Sequence, residues 1–165
     1  MFAAGILTVS DKGARGDRED RSGAVVREIL ASIDARIMNY DVIPDEKDLI
    51  VKKLVRWADE DSLDILITTG GTGLTPRDVT PEATVAVVDR IVPGFAEAMR
   101  AESLKKTPHA MLSRAVVGIR GKCLIINLPG SPKAVRECLG VILPALPHAV
   151  ETLKGQVDEC GISET

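Results

Sequence analysis

The amino-acid sequence predicts an α/β fold, a three-layer sandwich with a mostly parallel central sheet covered by helices on both faces. Three largely apolar runs, at residues 2–9, 63–69 and 123–128, have the hydrophobic character of strands buried on both sides. Segments with apolar side chains at helical spacing separate these runs. Strands that alternate with helices of this length form parallel sheets with helices packed on either face.

The first half of the chain supplies two strands and two helices. After the strand at 2–9, apolar side chains recur at helical spacing over residues 20–33. A second strand follows at 35–43. Pro44 and Asp45 end that strand and begin a helix over about residues 46–60.

The second half begins with the strand at 63–69, which ends in a glycine-rich loop. Thr80 and Pro81 predict a helix start, with a hydroxyl at the N-cap and proline at the first helical position. The remaining predicted elements are a helix to about Arg90, a helix at 93–105, a short strand or loop arm at 114–119, a strand at 123–128, and helices at 132–143 and 144–154. We expect one domain over residues 1–155 and a polar tail over residues 156–165.

Composition narrows the class of protein. The chain has 165 residues and a formal net charge of −3, without a basic stripe interleaved with aromatic residues, so we expect no nucleic-acid partner. It has no apolar run long enough to span a membrane and no leader pattern, so we expect a cytoplasmic protein without a membrane partner. The cysteines Cys123, Cys138 and Cys160 are widely spaced and lack a CxxC pair, which favours free thiols over zinc or disulfides.

The most informative stretch is residues 68–82, TTGGTGLTPRDVTPE. Gly70, Gly71 and Gly73 leave backbone N–H groups open to a ligand, and a following helix start favours an anion. Asp78 puts a carboxylate into this anion site, where it would repel a phosphate unless a cation lies between them. Mg²⁺ is the usual cation in such sites, since one or two carboxylates and substrate phosphates hold it.

Polar residues also follow the carboxyl ends of three other predicted strands, in the loops Ser10-Asp11, Pro44-Asp45 and Pro129-Gly130-Ser131. In open α/β sheets ligands bind at this end of the strands. We therefore expect these loops to meet the glycine-rich loop. Alone, each has a plainer interpretation: Asp78 as a turn residue, Asp45 and Ser131 as helix caps, and Ser10 and Asp11 as a polar strand end.

Several blocks of sequence, in order, resemble the molybdenum-cofactor biosynthesis family (the MogA/MoaB-type domain), which includes bacterial molybdopterin adenylyltransferase. The blocks cover nearly the whole chain. They are Thr8-Val9-Ser10-Asp11 with residues 16–23, Ile43-Pro44-Asp45-Glu46, Thr69-Gly70-Gly71-Thr72-Gly73 with residues 77–83, Pro93-Gly94-Phe95, residues 110–115, and residues 127–134.

The resemblance implies an enzyme that uses ATP and Mg²⁺ to adenylylate molybdopterin, giving adenylyl-molybdopterin and pyrophosphate. Asp45 and Asp78 would then be catalytic carboxylates and ligands of Mg²⁺. The predicted substrate- and nucleotide-binding residues are Ser10, Asp11, Gly70, Gly71, Thr72, Gly73, Gly130 and Ser131. Family membership also implies a homotrimer, or sometimes a hexamer, and a handover to a molybdenum-insertion protein.

Other possibilities remain open at this point. The chain could be a non-catalytic molybdopterin-binding paralogue or scaffold module of the same fold. The charged segment 15–21 could be a solvated loop or a mobile loop over the nucleotide, and Arg77 and Arg114 could neutralise phosphate. Val141, Ile142 and Leu146 could serve a subunit interface or the core. A nicotinamide-dinucleotide domain is excluded, because Ser-Asp-Lys-Gly, not GxGxxG, follows the first strand.

Overall fold

The computed structural model describes residues 1–156. The strands are β1 (Phe2–Val9), β2 (Ala35–Ile43), β3 (Ile65–Thr69), β4 (Arg90–Ile91), β5 (Val117–Arg120) and β6 (Cys123–Leu128). The α-helices are α1 (Asp11–Ala14), α2 (Arg21–Leu30), α3 (Lys47–Asp59), α4 (Thr80–Val85), α5 (Pro93–Leu104), α6 (Pro132–Ile142) and α7 (Leu146–Lys154). Short 3₁₀ turns lie at Ala31–Ile33, Pro108–Leu112 and Leu143–Ala145.

The strands form one mixed sheet in the order β2-β1-β3-β6-β5-β4. The four strands β2, β1, β3 and β6 are parallel, and β5 and β4 add an antiparallel edge. The three central strands end at nearly the same level in the sheet, because Thr8 lies opposite Thr69, and Thr69 lies opposite Leu128. The loops after β1, β3 and β6 therefore leave the sheet side by side.

Helices cover both faces, as the sequence predicts. Alternate residues of β3 point to opposite faces, so Ile65 and Ile67 pack with α2, α5, α6 and α7, whereas Leu66 packs with α3 and α4. The fully buried aliphatic side chains of β1, β3 and β6 form the centre of both cores. This rigid sheet fixes the strand ends from which the candidate site is built.

Most predicted elements are confirmed. Strands at 2–9, 35–43 and 123–128 have the predicted bounds. Residues 114–119 were predicted as a short strand or a loop arm, and the strand is confirmed as β5, which begins at Val117. β4, with two exposed residues, was not predicted. The helix expected to reach Arg90 ends at Val85, because the backbone turns there and Asp89 N–H donates to the Ile119 carbonyl across the antiparallel edge.

No helix in the described part of the chain is long and apolar enough to cross a membrane. Cys123 and Cys138 are free and buried, as expected. Cys160 and all but the first residue of the predicted polar tail lie outside the described residues. Ile142 and Leu146 are buried in the core and Val141 packs against it, so these three side chains serve the core of the chain itself.

Candidate active site

A cleft of about 660 Å³ opens at the carboxyl ends of β1 and β3. Its wall brings together the loop after β1, the loop after β2, the glycine-rich loop and the start of α6. The lining residues are Thr8, Val9, Ser10, Gly13, Arg18, Glu19, Asp20, Arg21, Ser22, Asp45, Thr69, Gly70, Gly71, Asp78, Gly130, Ser131 and Pro132. The predicted convergence of the four loops is present.

The turn after β3 needs glycine at its first two positions. Gly70 has φ +97°, and a Cβ there would lie 2.2 Å from the Val9 carbonyl oxygen. Gly71 has φ +67°, and its Cβ would lie 2.3 Å from Thr80 Oγ1 and 3.2 Å from Asp45 Oδ1. Close packing and positive φ thus both exclude larger residues, and the turn can pass directly beside Asp45.

Thr80 stabilises this turn instead of capping the helix, so the predicted N-cap is wrong. Thr80 is the first residue of α4, and Val79 is at the N-cap without a side-chain hydrogen bond. The fully buried Thr80 hydroxyl donates to the Gly70 carbonyl at 2.9 Å, and Thr80 N–H donates to the Gly71 carbonyl at 3.1 Å. A buried hydroxyl finds its acceptor where the packing supplies one, and here it is the glycine turn.

A second buried polar residue, Asn127 on β6, connects β3, α4 and the residue that precedes β5. Its Nδ2 donates to the hydroxyls of Thr68 at 3.0 Å and Thr84 at 2.8 Å, and its Oδ1 accepts from Val116 N–H at 3.2 Å. Because every partner is buried or partly buried, this network specifies one arrangement of the elements under the glycine turn.

The turn after β6 lines the cleft next to the glycine turn. A Cβ on Gly130 would lie 3.4 Å from Gly70 Cα, and Thr69 Oγ1 donates to the Pro129 carbonyl at 2.7 Å, so the two turns are in direct contact. Ser131 is the N-cap of α6, where its hydroxyl accepts from Ala134 N–H at 3.2 Å. The cap interpretation of Ser131 is therefore correct, and the same residue also lines the cleft.

Asp45 and Asp11 hold each other in place. Asp45 Oδ2 accepts from Asp11 N–H at 2.8 Å, and Asp11 Oδ1 accepts from Asp45 N–H at 3.0 Å. Arg77 binds both oxygens of Asp11, at 2.9 and 3.1 Å, and also Glu46 at 2.9 Å. Asp45 does not cap α3, whose N-cap is Glu46. Its carboxylate instead joins the loops after β1 and β2.

The electrostatic environments of these two carboxylates differ. Burial raises the pKa of Asp45, and the charges of Asp11 and Asp78 add to that rise, whereas the hydrogen bond from Asp11 N–H opposes it. The hydrogen bonds from Arg77 and from Asp45 N–H lower the pKa of Asp11. Arg77 binds Asp11 directly but acts on Asp45 only through its charge, so the Asp45 carboxylate is the less compensated of the two.

Asp78 is bonded as a turn aspartate and is also part of the cleft lining. Its Oδ2 accepts from Thr75 N–H at 2.8 Å and from Thr75 Oγ1 at 2.7 Å, which is the bonding of a turn aspartate. It also lines the cleft beside Asp45. Among the described residues, nothing donates a hydrogen bond to Asp78 Oδ1 or Asp45 Oδ1, so each side chain keeps one oxygen for a ligand.

This donor set fits a magnesium ion carried by a phosphate substrate. The described residues contain no group of three or more His, Cys, Asp or Glu side chains placed to enclose a metal ion. Two carboxylates with a mutual repulsion do not form a complete cage, but they match the ligands that Mg²⁺ takes when phosphates supply the others.

Three of the predicted binding residues, Asp11, Thr72 and Gly73, do not line the cleft. The carbonyls of Thr72 and Gly73 accept from Arg114 N–H and Nε, at 3.0 and 2.7 Å. Arg114 also donates to the Asp78 carbonyl and pairs with Glu82, so its side chain supports the glycine-rich loop.

Sequence reasoning missed Asp20, which also lines the cleft. Its carboxylate accepts from Thr8 Oγ1 at 2.6 Å, from Gly23 N–H at 2.9 Å, from Ser22 Oγ at 3.2 Å and from the Tyr40 hydroxyl. It is the N-cap of α2. An aspartate three residues before a small helical residue is a readable cap signal, but its contacts with β1 and β2 depend on tertiary packing.

Comparison with known proteins places the chain in a family. Residues 5–148 match the family described as "Probable molybdopterin binding domain". The chain is 47% identical over 163 residues to the molybdopterin adenylyltransferase of Helicobacter pylori, covering 96% of this chain and 93% of that protein. It is 40% identical over 165 residues to that of Escherichia coli, covering 92% and 85%.

The fold agrees with this relationship. The crystal structure of the molybdopterin biosynthesis enzyme MoaB from Thermus thermophilus superimposes with a TM-score of 0.90 at 55% identity, covering 94% of this chain and 98% of the other. The chain belongs to the molybdopterin-binding family of molybdenum cofactor biosynthesis proteins. The family resemblance noted in its sequence is confirmed.

Proposed function

We propose that the chain is a molybdopterin adenylyltransferase that acts in molybdenum cofactor biosynthesis. In this reaction an oxygen of the terminal phosphate of molybdopterin attacks the α-phosphorus of ATP. The bond between the α-phosphorus and the bridging oxygen to the β-phosphate breaks, and pyrophosphate leaves. The products are adenylyl-molybdopterin and pyrophosphate, and no covalent enzyme intermediate is needed.

The observation that supports this proposal best is the pair Asp45 and Asp78 beside two glycine turns in one cleft. Phosphoryl-group transfer depends on positioning and on charge neutralisation more than on covalent chemistry. The turns at Gly70–Gly71 and Gly130 let a ligand approach the backbone, and α6 begins at the cleft wall, where its N-terminal N–H groups favour anions.

We further propose that Asp45 and Asp78 hold Mg²⁺ together with substrate phosphates. The ion would supply charge neutralisation at the phosphates and a template that orients them. Asp11 and Arg77 fix the position of Asp45, and Thr75 and Arg114 fix the position of Asp78. Ser10 and Ser131, which both line the cleft, would donate hydrogen bonds to bound phosphate.

The compartment and the assembly are proposed from the same family relationship. We expect a cytoplasmic homotrimer that passes its product to a molybdenum-insertion protein. Apolar residues exposed near the end of α5 and the following 3₁₀ turn, such as Leu104, Met111 and Leu112, could be covered in such an assembly. Light scattering of the purified protein measures its mass directly, and a stable monomer would contradict the trimer.

One assay tests the enzymatic proposal. Purified protein is mixed with molybdopterin, ATP and Mg²⁺, and adenylyl-molybdopterin and pyrophosphate are measured. We expect both products in equal amounts, and neither without a divalent cation. Binding of molybdopterin without either product would instead identify the non-catalytic module that the sequence left open.

A further inference from the structure

The cleft has a cationic residue, Arg18, whose charge no protein group neutralises. Arg18 lines the cleft and is exposed, and within residues 1–156 its guanidinium makes neither a hydrogen bond nor an ion pair. Its neighbours are paired: Arg15 with Asp17 at 2.9 Å and Arg21 with Glu19 at 3.2 Å. Arg18 is thus the guanidinium of this segment that is available to a ligand.

The backbone that carries Arg18 is held at both ends. On its N-terminal side, Arg15 N–H donates to the Asp11 carbonyl at 3.2 Å, and Asp17 N–H donates to the Lys12 carbonyl at 2.9 Å. On its C-terminal side, the four hydrogen bonds of Asp20 tie the chain to β1, β2 and the start of α2. The segment is therefore anchored to the sheet within two residues of Arg18, and this side chain is presented at the rim from a defined position.

The charge of the cleft explains why one free cation matters. Its lining contains four acidic side chains, Glu19, Asp20, Asp45 and Asp78, against two arginines, of which Arg21 is paired with Glu19. Asp20 is satisfied internally, and a magnesium ion at Asp45 and Asp78 would neutralise those two carboxylates only. A substrate with several phosphate charges is therefore better neutralised if a second cation lies in the cleft, and a guanidinium suits phosphate oxygens geometrically.

We propose that Arg18 binds a phosphate group of a phosphorylated substrate at the rim of the cleft, with Asp20 as the residue that positions it. This inference rests on the proposed function, because both substrates of that reaction carry phosphate. The shared chemistry is a phosphate monoester or anhydride, so the source, ATP or molybdopterin, is distinguished by measuring the two substrates separately.

The test compares Arg18→Gln with Arg15→Gln, its matched control in the same segment, which is paired with Asp17 and does not line the cleft. KM and kcat are measured for ATP and for molybdopterin, each with the other substrate saturating. We expect Arg18→Gln to raise one KM by roughly ten-fold with little change in kcat. Arg18→Lys should recover part of the loss, and Arg15→Gln should behave as the wild type.

The outcomes separate this inference from the proposed function. If the wild type forms no adenylyl-molybdopterin, the proposed function fails, and calorimetric binding of ATP and of molybdopterin to Arg18→Gln and Arg15→Gln still tests Arg18. If the wild type is active but Arg18→Gln matches Arg15→Gln in both KM values, or loses only kcat, the role of Arg18 is overturned. Equal melting temperatures of the two variants show that folding is not the cause.

Discussion

Two carboxylates that line the same cleft, Asp20 and Asp45, lie in opposite electrostatic environments. Asp20 is also subject to burial, which by itself raises its pKa, but the hydrogen bonds from Thr8, Tyr40, Gly23 and Ser22 outweigh burial and lower it. Asp45 has a raised pKa, because burial and the charges of Asp11 and Asp78 outweigh its one backbone hydrogen bond and the charge of Arg77.

This difference separates a residue that holds the structure from a residue that is set up for a ligand. The charge of Asp20 is fully satisfied by the protein, so it contributes to stability without needing a partner. Asp45 carries charge that the protein leaves poorly compensated, and such groups cluster at functional sites. Four predictions test whether the contrast is real.

The largest effect is expected on enzymatic activity, from substitution of Asp45 or Asp78. Asp45→Asn and Asp78→Asn each keep a hydrogen-bond acceptor but remove the charge that would hold a cation. We expect each to lower the rate of AMP transfer by about 10²–10³-fold. Asp48→Asn, on the exposed first turn of α3, is the control and should retain full activity. Rates within about three-fold of the wild type for both site variants would contradict the view that Asp45, unlike Asp20, is set up for a ligand.

The second prediction concerns the glycine turn after β3, which lies beside Asp45. Gly70→Ala should lower the free energy of unfolding by about 3 kcal/mol, because its Cβ would overlap the backbone oxygen of Val9. Gly121 also has positive φ, but its Cβ would meet nothing within 4 Å, so Gly121→Ala should lose only about 1 kcal/mol. Urea denaturation measures both, and equal losses would show that close packing at Gly70 is unimportant.

Asp20→Asn tests the structural side of the comparison. Asparagine has one side-chain oxygen, so it cannot accept the hydrogen bonds from Thr8 and Tyr40 together with those from Gly23 and Ser22. We therefore expect the free energy of unfolding to fall by about 2 kcal/mol at pH 7. Because folding lowers the pKa of Asp20, this group stabilises the folded state fully above its ordinary pKa of 3.8. That stabilisation is lost as the pH falls below this value and through the folded-state pKa. The variant should therefore show a weaker acid dependence than the wild type, with Asp17→Asn as the exposed control. An unchanged unfolding curve would contradict the structural role.

Asp45→Asn should have the smallest effect on stability, and in the opposite direction. Because folding raises the pKa of Asp45, ionisation of this group reduces stability as the pH rises through its folded-state pKa. We expect the asparagine variant to equal the wild type, or to exceed it by up to about 1 kcal/mol at pH 7, with no difference in strong acid. A loss as large as that of Asp20→Asn would show that Asp45 is structural after all.

The sequence predicted the fold well where periodicity and packing agree. The apolar runs that became β1 and β6 were correct to the residue, since most of their side chains are buried in the centre of the sheet. The edge strand β2 also has the predicted bounds. The prediction weakened at the antiparallel edge, because β4 has two exposed residues and no apolar pattern. The length of α4 was wrong for the same reason: the chain leaves the helix to join that edge.

The sequence also identified much of the candidate site, through loops at the ends of strands. Ser10, Asp45, Gly70, Gly71, Asp78, Gly130 and Ser131 all line the cleft. Capping patterns were less reliable: Ser131 caps its helix, whereas the Thr80 hydroxyl bonds back to the glycine turn. Asp20 and Arg18 could not be ranked from sequence, because their roles depend on contacts with distant strands and on which neighbours are already paired.

We propose above that Asp45 and Asp78 together hold a divalent cation with the nucleotide. Electron paramagnetic resonance of Mn²⁺, titrated into the protein with a non-hydrolysable ATP analogue, measures this directly. The wild type should bind the Mn²⁺-nucleotide complex at least about ten-fold more tightly than the double variant Asp45→Asn/Asp78→Asn, while Asp48→Asn binds as the wild type does. Equal affinity of the wild type and the double variant would contradict the claim.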